Sequence, residues 1–193
     1  MTMLAILAED ISDAEVLTQL VRRRRGDDRL PIRKKDYEGC AGICRKGYRD
    51  IRLWVSRGII TEIIICHDAD RNPPSEIREK VRKAVLRRSG FDGPACIAVP
   101  VEAIEAWMIA DETAIHRVIP SIRLKGHVRP ETIPDPKAWL IRMSRRRNSK
   151  PLYVPNNSNP VVAKYLRFDV VAKKCPSFKA FVEWLDNPTP IGT

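Results

Sequence analysis

The sequence predicts an α/β protein: a mostly parallel sheet of four strands flanked by helices over residues 1–114, then a helical, loop-rich extension over residues 115–193 packed on that core. Three observations carry this expectation. Two short apolar runs, Met3–Ala8 and Glu62–His67, have the length and near-continuous hydrophobicity of strands buried on both faces. Each is followed at once by acidic residues and then by a helix-start signal. Strand-like and helix-like segments go on alternating as far as Ala110, the order that builds parallel sheets with right-handed crossovers.

The first strand hands over at Glu9-Asp10-Ile11, and Ser12 with Glu15 forms an S-x-x-E capping box, so a helix is expected from Ser12 to Arg25. Val16, Leu17, Leu20 and Val21 keep its apolar spacing, and Gly26 ends it. A weaker strand is expected over Leu30–Tyr37, then a glycine-rich turn at Gly39–Gly42. The next helix, Ile43–Ser56, should bury Ile51, Trp54 and Val55 and stop at Gly58. The strongest strand, Ile59–His67, leads into Asp68-Ala69-Asp70. Pro73-Pro74 stiffens the connection, and Ser75 is placed to cap a helix over Glu76–Ser89 with Ile77, Val81, Ala84 and Val85 inward. A strand over Ala95–Val99 and a short helix over Glu102–Ala110, carrying Glu105 and Trp107, complete the core. Beyond residue 115 the chain is interrupted by Pro120, Pro130, Pro134, Pro136, Pro151, Pro155 and Pro160. Helices are expected there at Pro136–Met143, Asn159–Leu166 and Ser177–Leu185, the last capped by Ser177.

At 193 residues, 44% of them hydrophobic, the chain can bury one good core. No segment is long enough to cross a membrane. The apolar N-terminal stretch lacks the basic leader and small-residue cleavage site of a signal peptide, so a cytoplasmic protein is expected. Five cysteines at irregular spacing make no disulfide framework. Cys40 and Cys44 form the one close pair, short of the four ligands a structural zinc site needs. There is no Walker phosphate loop, so the chain should not hydrolyse ATP by itself. Thirty-five Lys+Arg against 24 Asp+Glu give a formal charge of +11. The excess is clustered at Arg22-Arg23-Arg24-Arg25, Arg33-Lys34-Lys35, Arg87-Arg88 and Arg145-Arg146-Arg147 with Lys150. Helix ends account for the runs just before Gly26 and Gly90. The alternative is nucleic-acid contact, with Arg22, Arg23, Arg24, Arg25, Arg145, Arg146, Arg147 and Lys150 as the candidate set.

The acids after the strands are the candidate site. In a parallel α/β sheet such residues project from the carboxyl ends of strands, where active sites collect. Asp68 and Asp70 lie two apart and so point to one side of an extended segment, able to converge on one ion. Clustered carboxylates repel, and a divalent cation relieves them. Glu9 joins them as ligand or as the base that activates water. Asp13, one turn into its helix, is either part of the site or a partner of the helix dipole. Glu105 either joins the metal shell or is a buried acid bonded to a strand-end amide. His67 should point to the opposite face, where packing is expected and a general-acid role is the alternative. Lys137 and Lys150 are candidates to neutralise a phosphate. An acidic pocket on a strongly positive chain points to metal-assisted phosphodiester chemistry.

Glu9 after the first strand and Asp68-Ala69-Asp70 after a later one resemble the TOPRIM fold, a Rossmann-like arrangement shared by topoisomerases, primases and the overcoming-lysogenization-defect nucleases. The chain is most similar to small standalone TOPRIM-like proteins of uncharacterised function. The likeness lies in the opening Glu9-Asp10-Ile11-Ser12-Asp13, then Glu105-Ala106-Trp107, Asp135-Pro136-Lys137 and Cys175-Pro176-Ser177-Phe178. The resemblance implies a magnesium- or manganese-dependent nuclease acting on DNA or RNA. Glu9, Asp68 and Asp70 would hold the metal, with Asp13 and Glu105 beside them. It also implies a phage-defence role under control of an ATPase partner. The partner would dock on the extension, where Trp139, Leu140, Phe178, Phe181 and Trp184 supply apolar surface. Asp10 stands where that family usually has glycine. This departure motivates the rival expectation, a non-catalytic nucleic-acid-binding or regulatory subunit.

Overall fold

The computed structural model describes residues 3–124, 128–146 and 149–190. Its strands are β1 (Leu4–Ala8), β2 (Ile32–Asp36), β3 (Glu62–Cys66) and β4 (Ala95–Ala98). They pair in the all-parallel order β2-β1-β3-β4, with Leu4 level with both Ile32 and Glu62 and Ile63 level with Ala95. The α/β class expected from the alternating pattern is the observed one. Side chains of successive residues alternate between the two faces of a strand, and this sorts the interior into two layers. Leu4, Ile6, Ala8, Ile64, Cys66 and Ala98 face one layer, while Ala5, Leu7, Ile63, Ile65 and Ile97 face the other. Burial on both faces is why the central strands read as unbroken apolar runs. β2 lies at an edge and keeps Arg33, Lys34 and Lys35 exposed.

Helix α1 (Ile11–Arg25) covers the first layer, and α2 (Cys40–Ser56) with α3 (Pro74–Val81) covers the second. A π-helical turn, Arg82–Arg87, continues α3. Helix α1 is capped by Asp10, whose carboxylate accepts the Asp13 N–H at 3.1 Å. Ser12, expected to be the cap, is instead buried inside the first turn. An aspartate two residues earlier reaches the third helical N–H, the usual N-cap reach, and so displaces the expected capping box. Gly26 closes α1 in the left-handed region at φ 66°, as its position predicts. Ser75 likewise lies inside α3, which starts after Pro73 without a side-chain cap. Val55, expected in the core, is 39% exposed.

Helix α2 begins at Cys40, earlier than its hydrophobic pattern suggests, because Gly42 lets the first turn sit against Tyr37. A Cβ on Gly42 would stand 2.1 Å from the Tyr37 carbonyl oxygen. Gly42→Ala is therefore expected to cost on the order of 3 kcal/mol, measured as a lower urea midpoint. An unchanged midpoint would show that this contact does not seat the helix.

The rest of the chain is α4 (Glu105–Ala110), α5 (Glu112–Val118), a 3-10 turn at Pro130–Thr132, α6 (Pro136–Ser144), α7 (Pro155–Ala163), α8 (Phe168–Lys174) and α9 (Pro176–Asp186). Helices α5 and α8 carry too few periodic positions to stand out in the sequence, and α7 starts four residues before the expected Asn159. These helices share one hydrophobic cluster with α1 and α4. Trp107 on α4 is fully buried, edge-on to Phe178 at 5.1 Å and stacked on Phe181 at 5.6 Å. Leu140, Phe178 and Phe181 are buried, and Trp139 and Trp184 pack against the same cluster. The apolar residues expected to serve a docking partner thus lie in or against this cluster, with Trp139 and Trp184 half-buried. Ser177 is not the cap of α9. It accepts the Trp107 indole N–H at 2.8 Å and bonds Glu131, which also takes the Ser177 backbone N–H at 3.2 Å.

Candidate metal centre

The chain runs from β1 outward to β2 on one side and later to β3 on the other, so the crevice at the carboxyl ends of β1 and β3 is a topological switch point. Ligands of open α/β sheets bind at such crevices. Glu9 leaves β1 there, and His67-Asp68 leaves β3. The two loops are joined directly, because the Asp68 backbone N–H donates to Glu9 Oε1 at 2.9 Å. The loop before α2 joins them, since the Gly39 N–H donates to the Glu9 carbonyl at 3.1 Å.

Two donors converge on Glu9 Oε1, with the His67 ring beside them. Besides Asp68 N–H, the Cys40 thiol lies 2.8 Å away and His67 Nδ1 3.4 Å away. The thiol also lies 3.4 Å from Asp70 Oδ2, and His67 Nδ1 is 2.8 Å from the Asp68 carbonyl. Glu9, Cys40 and His67 place one ligand atom each within 4.8 Å of one another, a grouping that can hold a metal ion. His67 is thus not turned away from the site as strand alternation suggests. The extended strand ends at Cys66, and the two-residue period lapses with it. In the sequence Cys40 stood out only as half of a close pair with Cys44, with nothing to link it to the acids.

Asp68 is the most unusual group. Its Oδ1 is buried with no hydrogen-bond partner among the described residues, a costly state for a carboxylate oxygen. Burial pushes its carboxyl well above the usual range, and Asp13, Glu9, Glu105 and Asp70 push it further. Asp13, 6% exposed, is raised to about 8 by burial and by Asp10, Glu105 and Glu9, with Lys137 opposing. The five acids singled out in the sequence therefore feel one another. Glu105 is buried, but its partners are side chains rather than a strand-end amide: Asn159 Nδ2 donates at 3.1 Å and the Tyr153 hydroxyl at 3.3 Å.

Backbone strain gathers around the same place. Among the described residues, positive φ outside glycine occurs at Glu38, Asp70, Arg71 and Glu102. Such conformations persist where the surroundings enforce them, often at functional sites. Asn72 enforces one of them, folding back to donate its side-chain amide to the carbonyls of Ala69 and Asp70. Asp68, Asp70, Arg71 and Glu102 line a cleft of about 330 Å³ that is closed on the far side by Pro136 and Lys137 of α6. The Lys137 ammonium stands 4.0 Å from Asp10. Two cations therefore rim an acidic pocket.

The expected nucleic-acid residues are placed elsewhere. Arg22 donates to the Leu30 carbonyl, Arg23 to the carbonyls of Ala163 and Leu166, Arg24 to Asp186 and Arg25 to Glu62. All four tie the far end of α1 to its neighbours, and Glu62 opens β3 at the sheet edge opposite the acids. Of the two expectations for this run, the placement is that of a helix end, where carbonyls and carboxylates take up guanidinium donors. Arg145, Arg146 and Lys150 are exposed. Arg147 lies outside the described residues.

A family model described as a domain of unknown function, DUF4276, matches residues 45–186. The chain belongs to the DUF4276 family. No curated protein and no solved structure matches it. The matched span of this DUF4276 chain contains Asp68, Asp70, Arg71, Glu105 and Lys137 and leaves Glu9, Asp13 and Cys40 before it.

The raised carboxyls have a consequence for stability. Between the ordinary value of 3.8 and about 8, Asp13 holds a proton in the folded protein that it lacks in the unfolded chain. The folded state then binds more protons, so this group makes stability fall as pH rises through that window. A divalent cation bound among the acids would replace that proton. The rise in Tm on adding Mg²⁺ is expected to be larger near about pH 8 than near about pH 6, as read by thermal melts in Mg²⁺ and in EDTA. A shift of equal size at both values would count against cation binding among these acids.

Proposed function

We propose that this DUF4276 protein is a divalent-metal-dependent nuclease that cleaves phosphodiester bonds of DNA or RNA. The observation that carries the reading is Asp68 Oδ1, buried without a donor among mutually repelling acids at the switch-point crevice. In this reading Asp68, Asp70 and Glu9 are the ligands, beside the Glu9–Cys40–His67 grouping. Glu9 is held through Oε1 by the Asp68 N–H and the Cys40 thiol. An oxygen donor set suits Mg²⁺ or Mn²⁺. With the Cys40 thiol donating to Glu9 Oε1 and His67 Nδ1 donating to the Asp68 carbonyl, those two residues serve best by fixing the Glu9 carboxylate and the Asp68 backbone. When bound, the cation would neutralise charge on the phosphate and acidify a water. Arg71 and Lys137 at the rim receive the phosphate and offset its developing charge. Asp10, which stands where the TOPRIM-like proteins that the chain resembles have glycine, has a local task as the cap of α1.

The test is incubation of the purified protein with single-stranded DNA, duplex DNA and RNA in Mg²⁺, Mn²⁺ or EDTA. Cleavage with a divalent ion and none in EDTA is expected. Cleavage that persists in EDTA, or no cleavage of any of the three substrates, would overturn the proposal.

A further inference from the structure

Helix α2 starts at the acidic site and ends far from it, and it carries a row of cations along the way. Cys40, its first residue, touches Glu9 and Asp70. Arg45, Arg49 and Arg52 follow at spacings of four and three residues, which places them on one helix face. They stand ~6 Å and ~4.5 Å apart along the axis at 1.5 Å per residue. All three are exposed.

Arg88, just beyond the π-helical turn, joins the far end of the row. Its guanidinium lies 3.9 Å from the Tyr48 ring centre, and those of Arg49 and Arg52 lie 5.6 and 5.9 Å from it. Arg49 Nε donates to the Tyr48 hydroxyl at 2.9 Å, and Arg52 donates to the Arg88 carbonyl at 2.6 Å. The phenol is held below its ordinary value by the Arg49 hydrogen bond and by the charges of Arg49, Arg88 and Arg52. Among the described residues none of Arg45, Arg49, Arg52 and Arg88 forms an ion pair with a carboxylate. Arg45 also donates to the Ala41 carbonyl at 3.3 Å, one turn back on the same helix, whereas in the α1 run Arg24 and Arg25 are each neutralised by a carboxylate. Guanidinium groups gathered on an aromatic ring without a counter-charge are an anion-binding surface, oriented before any ligand arrives.

We infer that the exposed face of α2, from Arg45 through Tyr48, Arg49 and Arg52 to Arg88, is the track for the phosphate backbone of a nucleic-acid strand whose scissile bond lies at the acidic cleft. This rests on the nuclease reading and adds to it the path of the substrate. Arginines at successive turns present repeated charge along one line, which suits a linear polyanion better than a single small anion. The contacts reach phosphate rather than base edges, so the track carries little sequence preference.

Binding is measured apart from cleavage, by fluorescence anisotropy of a labelled single-stranded oligonucleotide in EDTA with the Asp68→Asn protein. The further changes Arg49→Glu, Arg52→Glu and Arg88→Glu together are expected to weaken binding at least tenfold. They should also lower the slope of log affinity against log salt by about 2, as expected for the loss of three phosphate contacts. A Tm within a few degrees of the parent shows that the surface changes leave the fold intact. Arg145→Glu with Lys150→Glu, on the other exposed basic segment, is the comparison and should have the smaller effect. Undiminished affinity and slope in the α2 variant would overturn the inference, and so would a larger loss in the comparison protein. Binding to phosphatidylserine vesicles but not to the oligonucleotide would also overturn it. If the parent cleaves but the α2 variant binds normally, the track fails and the nuclease reading stands. If the α2 variant loses binding but the parent never cleaves, the track stands and the nuclease reading fails.

Discussion

Replacing Asp68 with asparagine is expected to reduce divalent-ion-dependent cleavage by about a thousandfold or more, equivalent to about 4 kcal/mol of lost transition-state stabilisation. The same substitution is expected to raise the melting temperature in EDTA. Both follow from one feature: Asp68 Oδ1 is buried with no donor, and Asp13, Glu9, Glu105 and Asp70 all disfavour its charge. Asparagine keeps the size and shape of the side chain while removing the charge, so the acids repel less and the folded state gains. A residue that lowers stability for the sake of a site is the usual stability–activity trade-off. Cys40→Ser retains a hydroxyl donor toward Glu9 and should lower the rate by less than about tenfold, since it acts through the carboxylate and not on the substrate. An Asp68→Asn protein that cuts as fast as its parent, or that melts lower in EDTA, would show that the buried carboxylate has another purpose.

The sheet was legible because its central strands are buried on both faces. Nothing but continuous apolar character satisfies Ile63, Ile64 and Ile65 at once. The acids were legible for a related reason: a carboxylate following such a run has no structural use in the core, so Glu9, Asp68 and Asp70 stood out. What the sequence hid was contact between segments distant along the chain. Cys40 lies 31 residues from Glu9, and only the order β2-β1-β3 brings its thiol to the Glu9 carboxylate. Asp10 read as a break in a glycine pattern because capping reach depends on the backbone conformation before the helix, which residue types alone do not fix. The arginines divided in a way composition could not foretell. Four in a row at the end of α1 are tied to carbonyls and carboxylates beyond that helix, while the arginines along α2 and at residue 88 form no ion pair with a carboxylate among the described residues. Charge density along a sequence measures supply, and availability depends on what the fold places nearby.

Trp107→Ala is expected to cost about 4 to 5 kcal/mol, the largest stability effect of any single change in this chain. The indole is fully buried between Phe178 and Phe181, and its N–H is the donor to Ser177. Removing it leaves a cavity the size of a ring system and leaves the Ser177 hydroxyl, also bonded to Glu131, without its inward partner. The consequence extends beyond one helix. Glu105 lies two residues before Trp107 on α4 and is held by Asn159 and Tyr153 from the extension, so the packing that seats α4 also positions an acid of the candidate site. A chain ending at residue 114 would expose Trp107 and release Glu105 together, and it is expected not to fold. Guanidinium unfolding of Trp107→Ala is the check, with Trp107→Phe as the partner variant. Phenylalanine keeps most of the volume without the N–H, and should cost less than half as much. Equal losses in the two would place the stabilisation in the Ser177 hydrogen bond rather than in the aromatic packing. Near-parent stability in both would mean that the extension and the sheet are held together elsewhere, through the contact of α7 with α1.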